Sequence, residues 1–164
     1  MMSTSQRTLV LIAILAFGAV CIALVSQYAF GLQPCAWCVL QRLIYIVIGV
    51  VCLVLAFLGP VMRRVGALLG LILSLCGVWA AYYQYTVASQ LLSCEQTFAD
   101  KFIAGSGLDA ALPSVFGIYA TCMDAVVKVL GVEYAVWSLV LFAILAFLSL
   151  RGAASSDVKA VGAR

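Results

Sequence analysis

From Leu43 to Leu58 the chain runs through sixteen apolar residues without a break. Coiled as a helix the run is about 24 Å long, and with the turn before it, from Cys38, it reaches the length needed to cross the hydrocarbon core of a bilayer. Three more stretches have the same character: Thr8 to Tyr28, Val65 to Tyr85, and Ala135 to Leu150 behind an interfacial Tyr134. Hydrophobic residues make up 66% of the chain and charged residues 9%, against roughly 45 to 50% and about 25% in soluble domains, so the runs read as membrane spans. The expected fold is therefore an all-α membrane protein, one four-helix transmembrane bundle over residues 1–164. It should have a short first loop, a long second one at 86–133, and a disordered tail at 152–164.

Punctuation along the chain supports these spans. A cleaved signal peptide would be followed by a soluble domain, and none follows the first run. Gly59 and Pro60 are expected to break the second helix, and Pro34 to sit at its first position. In the third span Gly66, Gly70 and Ser74 recur every four residues, a stripe that lets another helix approach closely. Within the long loop, Phe98 and Phe102 lie four apart beside Asp100 and Lys101. That pattern fits a short helix lying on lipid headgroups as well as a loop packed on itself.

An even number of spans puts both termini on one side. Arg7, Arg63, Arg64, Arg151, Lys159 and Arg164 fall on that side, which the basic bias of cytoplasmic loops makes the cytoplasm. The opposite side carries Lys101, Lys128 and Arg42 against five acids, Glu95, Asp100, Asp109, Asp124 and Glu133; in a bacterium it is the periplasm, where disulfides persist. The net charge of +3 is small and scattered, with no basic cluster interleaved with aromatics, so nucleic acid is set aside. A transporter or channel would place ionisable side chains inside its spans, and only Arg42, at an edge, answers to that.

There is no histidine, so the chemistry falls to the seven cysteines. Cys21, Cys52 and Cys76 lie inside spans and read as small core residues. Cys35, Cys38, Cys94 and Cys122 lie on the oxidising side, as two possible disulfides. Closing the loop of about 29 residues between Cys94 and Cys122 would restrict the unfolded chain by on the order of 3 kcal/mol, whereas the four-residue ring of Cys35 and Cys38 would restrict it far less. A tight CxxC at a helix start has acidified thiols and a readily reduced disulfide, so the first pair suits electron exchange and the second a structural or a redox role. A zinc site of all four is the less economical reading, since the second pair lacks CxxC spacing.

The dithiol stands at the lip of the second span, and no nucleotide fingerprint is present to hold a soluble carrier. A lipid-soluble acceptor such as a quinone fits that position. Arg42, four residues past Cys38, shares its helix face and is placed either to hydrogen-bond a quinone oxygen or to snorkel to lipid phosphates.

Four spans, Cys35-Ala36-Trp37-Cys38 with Arg42 beyond it, and a cysteine pair in the long second loop together resemble the DsbB family of bacterial inner-membrane disulfide bond formation proteins. The resemblance runs from the first span to the fourth. It implies a protein-dithiol:quinone oxidoreductase whose Cys94–Cys122 disulfide oxidises a DsbA-like thioredoxin-fold partner in the periplasm, with Cys94 taking the mixed disulfide. Electrons would pass to Cys35 and Cys38, and from Cys38 to a membrane quinone, ubiquinone or menaquinone, at a site that includes Arg42. Two positions depart from the family pattern: Gln41 stands where some members have an acidic residue, and Tyr85 near the end of the third span where some have a histidine. A four-span scaffold similar to tetraspanins would explain the loop cysteines but not the dithiol and arginine at the lip. A relative of vitamin K epoxide reductase is expected to carry its CxxC near the last spans.

Overall fold

Ser3 starts the first helix, its Oγ accepting a hydrogen bond from the Gln6 amide, and α1 runs over Thr4–Phe30. It ends at Gly31, whose φ of 68° is the left-handed turn that lets the Leu32 amide return to the Ser26 carbonyl. The computed structural model describes residues 2–90 and 97–155. Helix α2 spans Ala36–Ala56, α3 Pro60–Thr86 and α7 Tyr134–Ala154; these and α1 are the long apolar helices among the described residues, each long enough to span a membrane. Between α3 and α7 lie a 3-10 turn at Ala88–Gln90, α4 at Phe98–Ser106, the single-turn helices α5 at Leu108–Ala111 and α6 at Pro113–Phe116, and a hairpin of β1, Lys128–Val129, with β2, Val132–Glu133. That hairpin is the one described departure from an all-α fold.

The helix ends differ in detail from the sequence expectation. Helix α2 begins at Ala36 with Cys35 as its N-cap, so Pro34 lies before the helix rather than at its first position. At the far end it stops at Ala56, and Pro60 opens α3 at once behind Gly59, whose φ of 109° only glycine adopts readily. Arg63 then folds back over this turn, with Nε on the Ala56 carbonyl at 3.0 Å and Nη1 on Ser3 Oγ at 2.9 Å. Helix α7 continues through Gly152 to Ala154, which removes these residues from the tail expected to be disordered; residues 156–164 of that tail lie outside the described residues.

Small residues decide how closely the helices meet. Along α3, Gly66, Gly70, Ser74, Gly77 and Ala81 are buried, and they form the seam against α7 and α2. A Cβ on Gly77 would run into the Phe142 ring, and one on Gly70 would lie 3.1 Å from Ser149 Oγ. Because lipid tails are as apolar as leucine, such close backbone approach replaces the hydrophobic drive of a soluble core. Leu9, Ile12, Ile48 and Leu145 fill the centre, and Tyr45 stacks on Phe142 at 4.0 Å between ring centroids. Outward faces carry Ile14, Ile22, Ile72, Leu75 and Phe147, as lipid contact requires. Cys21 and Cys76 are on those exposed faces, not in the core as expected; of the three span cysteines only Cys52 is buried.

A second buried cluster sits at the dithiol end, where Ala99 and Ile103 of α4 and Phe116 of α6 cover Cys35, Trp37 and Val39. Phe98 and Phe102 stack on the opposite, exposed face of α4, so this helix packs inward along one side and presents an aromatic pair along the other. The segment after α6 is tied down by the Tyr119 and Ala120 amides, both donating to the Pro34 carbonyl, and α6 itself by Tyr28 Oη on the Ser114 carbonyl at 2.7 Å.

Candidate functional site: a dithiol above an apolar cavity

The first residue of the site is the cap of α2. Cys35 is extended, with φ −87° and ψ 170°, and its Sγ accepts from the Cys38 amide at 3.4 Å, the contact a serine cap would make. This geometry brings Cys38 back over the same turn, so the two free thiols share a hydrogen bond at 2.9 Å. Cys35 is fully buried; its hydrogen bond with Cys38, then burial, push its thiol well above the ordinary range, which keeps the proton on Cys35.

Arg42 lies one turn deeper and is only 6% exposed, which rules out snorkelling to phosphates. Its Nη1 donates to Gln27 Oε1 at 2.6 Å and to the Val115 carbonyl at 3.1 Å, and Nη2 to the Ala23 carbonyl at 3.3 Å. These bonds fix the guanidinium between α1 and α6. They engage three of the five N–H donors an arginine has, and leave the others for a ligand.

Cys38, Gln41, Arg42 and Tyr45 of α2 line one wall of a cavity of about 520 Å³. Ile22, Ala23 and Ser26 of α1 form another wall, and Tyr134, Ser138 and Leu141 of α7 a third, while Val129 and Leu130 of the hairpin lie at its mouth. The volume suits a small organic ligand, and the lining follows the usual pattern of apolar walls with a few convergent polar groups.

The residue that sequence reasoning missed is Gln84. Its Nε2 donates to Cys38 Sγ at 3.2 Å and reaches Cys35 Sγ at 3.8 Å, while Tyr85, singled out from the sequence, is exposed on the outside of α3. Gln27 and Ser138 were missed as well. A usable signal was present, since each is a polar side chain in an otherwise apolar span and such residues usually face the bundle interior. Of the loop cysteines, Cys122 is buried in the cluster that holds Cys35 and is disulfide-bonded. Cys94 lies outside the described residues.

Fold and site together define a multi-pass membrane protein that holds a close dithiol at the lip of an apolar cavity. The sequence matches the family described as "Disulfide bond formation protein DsbB" over residues 5–151, and the chain belongs to that family. Among its curated relatives are disulfide bond formation protein B of Ralstonia nicotianae, 36% identical over 147 residues that cover 89% of this chain and 92% of the relative. The same protein of Cupriavidus necator is 32% identical over 85% of this chain and 87% of its own length. That of Pseudomonas syringae pv. tomato is 32% identical over 87% and 86%. Membership ties the chain to disulfide bond formation.

Proposed function

We propose that the protein is a membrane thiol:quinone oxidoreductase that reoxidises a periplasmic DsbA-like dithiol protein. The observation that carries this reading is the shared cavity: Cys38 and Arg42 line the same 520 Å³ of mostly apolar space. A quinone fits this donor set, because an apolar ring and tail suit the walls and a carbonyl oxygen suits a guanidinium with donors to spare. When bound it would accept two electrons and two protons from the site.

In this reading the loop disulfide is Cys94–Cys122. The partner's thiolate attacks Cys94, its second thiol resolves the mixed disulfide, and the partner leaves oxidised while Cys94 and Cys122 become thiols. Exchange with an oxidised Cys35–Cys38 pair restores the loop disulfide and leaves the lip dithiol reduced. The burial of Cys122 in the cluster that holds Cys35 supports a short route between the pairs. Cys38 is the sulfur next to the acceptor, since it lines the cavity and Cys35 does not line it. Arg42 orients a quinone oxygen and offsets negative charge there. Both termini lie in the cytoplasm and the dithiol end faces the periplasm, as the basic residues of the opposite end favour.

The test is the purified protein in detergent with a reduced thioredoxin-fold partner and a water-soluble ubiquinone analogue. Two partner thiols should disappear for each quinol formed, and without quinone under anaerobic conditions thiol loss should stop once the enzyme's own disulfides are reduced. Continued thiol oxidation over many turnovers without any quinone would overturn the reading.

A further inference from the structure

The site contains a line of neutral hydrogen-bond donors that ends on sulfur. Tyr45 Oη donates to the Ser138 carbonyl at 3.1 Å and lies 3.0 Å from Ser138 Oγ. Ser138 Oγ donates to Gln41 Oε1 at 2.6 Å, Gln41 Nε2 donates to Gln84 Oε1 at 2.6 Å, and Gln84 Nε2 donates to Cys38 Sγ at 3.2 Å. From Ser138 onward every link points the same way, and the line crosses from α7 through α2 to α3 and returns to Cys38 of α2. Gln41 is only 5% exposed, in a span where burying an amide is costly unless it is hydrogen-bonded, and Ser138 and Gln84 supply its partners.

We infer that Ser138, Gln41 and Gln84 form a relay of aligned dipoles that holds the Cys38 sulfur in its reactive form, with Gln41 and Ser138 as positioning residues acting through Gln84. Each donor polarises the next, so the amide protons facing Cys38 carry more positive charge than an isolated glutamine would bring. Alignment is enforced from the far end. The Ser138 hydroxyl donates to Gln41 Oε1 and so holds the Gln41 amide with its nitrogen toward Gln84; that nitrogen in turn holds Gln84 with its nitrogen toward sulfur. No member needs to gain or lose a proton. The relay thus gives the sulfur anion-stabilising dipoles in a site with no histidine and with an amide at position 41, where a carboxylate would repel the same anion. This inference rests on the reading of Cys38 as the reacting sulfur.

The test is the alkylation rate of Cys38 by iodoacetamide at pH 7 in the reduced full-length protein carrying Cys35→Ser, read by mass spectrometry of the Cys38 peptide. Ser138→Thr and Ser138→Val are isosteres of each other and differ in the hydroxyl. The threonine variant should match the parent, and the valine variant should react about threefold more slowly, the effect of one lost hydrogen bond at a distance. Gln41→Met should slow the reaction more than Ser138→Val does, and Gln84→Met the most, about tenfold. Equal rates for the threonine and valine variants would overturn the relay, as would an unchanged rate in Gln41→Met beside a slow Gln84→Met, which would leave Gln84 acting alone. The measurement uses neither quinone nor partner, so it stands or falls separately from the proposed oxidoreductase activity.

Discussion

Arg42 shows what a single residue does here. In the proposed function, removing its side chain takes a charge-assisted hydrogen bond from the quinone, and it leaves Gln27 Oε1 without its 2.6 Å donor. Loss of such a bond is worth roughly 1.5 to 3 kcal/mol, or about tenfold to more than a hundredfold in affinity. Arg42→Met should therefore raise the quinone KM by at least about tenfold in steady-state assays, with mixed-disulfide formation at Cys94 intact. Arg42→Lys keeps the charge but loses the planar fork that spans Gln27, Ala23 and Val115, and should fall between the two. An unchanged quinone KM in a folded Arg42→Met protein would place the acceptor elsewhere. Spacing alone put Cys35, Cys38 and Arg42 on one helical turn and the next. Whether Arg42 faced phosphate or the interior was not legible, because that choice depends on acceptors supplied by α1 and α6.

At the scale of elements, two glycines make opposite predictions. Gly77 of α3 lies against the Phe142 ring of α7, while an added Cβ on Gly18 of α1 meets nothing within 4 Å. Gly77→Ala should lower the midpoint of thermal unfolding in detergent, by the equivalent of about 1 to 3 kcal/mol for overpacking a tight contact. Gly18→Ala should leave it unchanged or raise it slightly, since alanine costs a helix about 1 kcal/mol less than glycine. Adding Phe142→Leu to Gly77→Ala should recover part of the loss by opening space at the seam. The stripe of Gly66, Gly70 and Ser74 was visible from the sequence. Its continuation to Gly77 and its partner Phe142 were not, since a helix-packing motif names one face and leaves the other unspecified.

For the whole molecule the prediction concerns orientation. Arg63 at the start of α3 bonds to Ser3 before α1, and Gly152 near the end of α7 lies beside Thr8 and Ala67, so these helix ends share one end of the bundle, with the dithiol at the other. Reporter fusions after Gly59 and after Ser155 should report cytoplasm, and a fusion near Ser106 periplasm. The reverse pattern would put the dithiol in a reducing compartment and remove the basis for an oxidase. The sequence by itself determined the number of long apolar helices, the family and the close dithiol, because hydrophobic run length and CxxC spacing are local properties that a bilayer and a helix read directly. Tertiary structure alone decided that Cys21 and Cys76 face outward, that Gln84 rather than Tyr85 meets the sulfurs, and that Arg42 is buried. Each of these depends on the rotation of a helix about its own axis. In a span that is apolar on every side, that rotation is set by glycine seams and buried polar bonds to other helices, which no single segment contains.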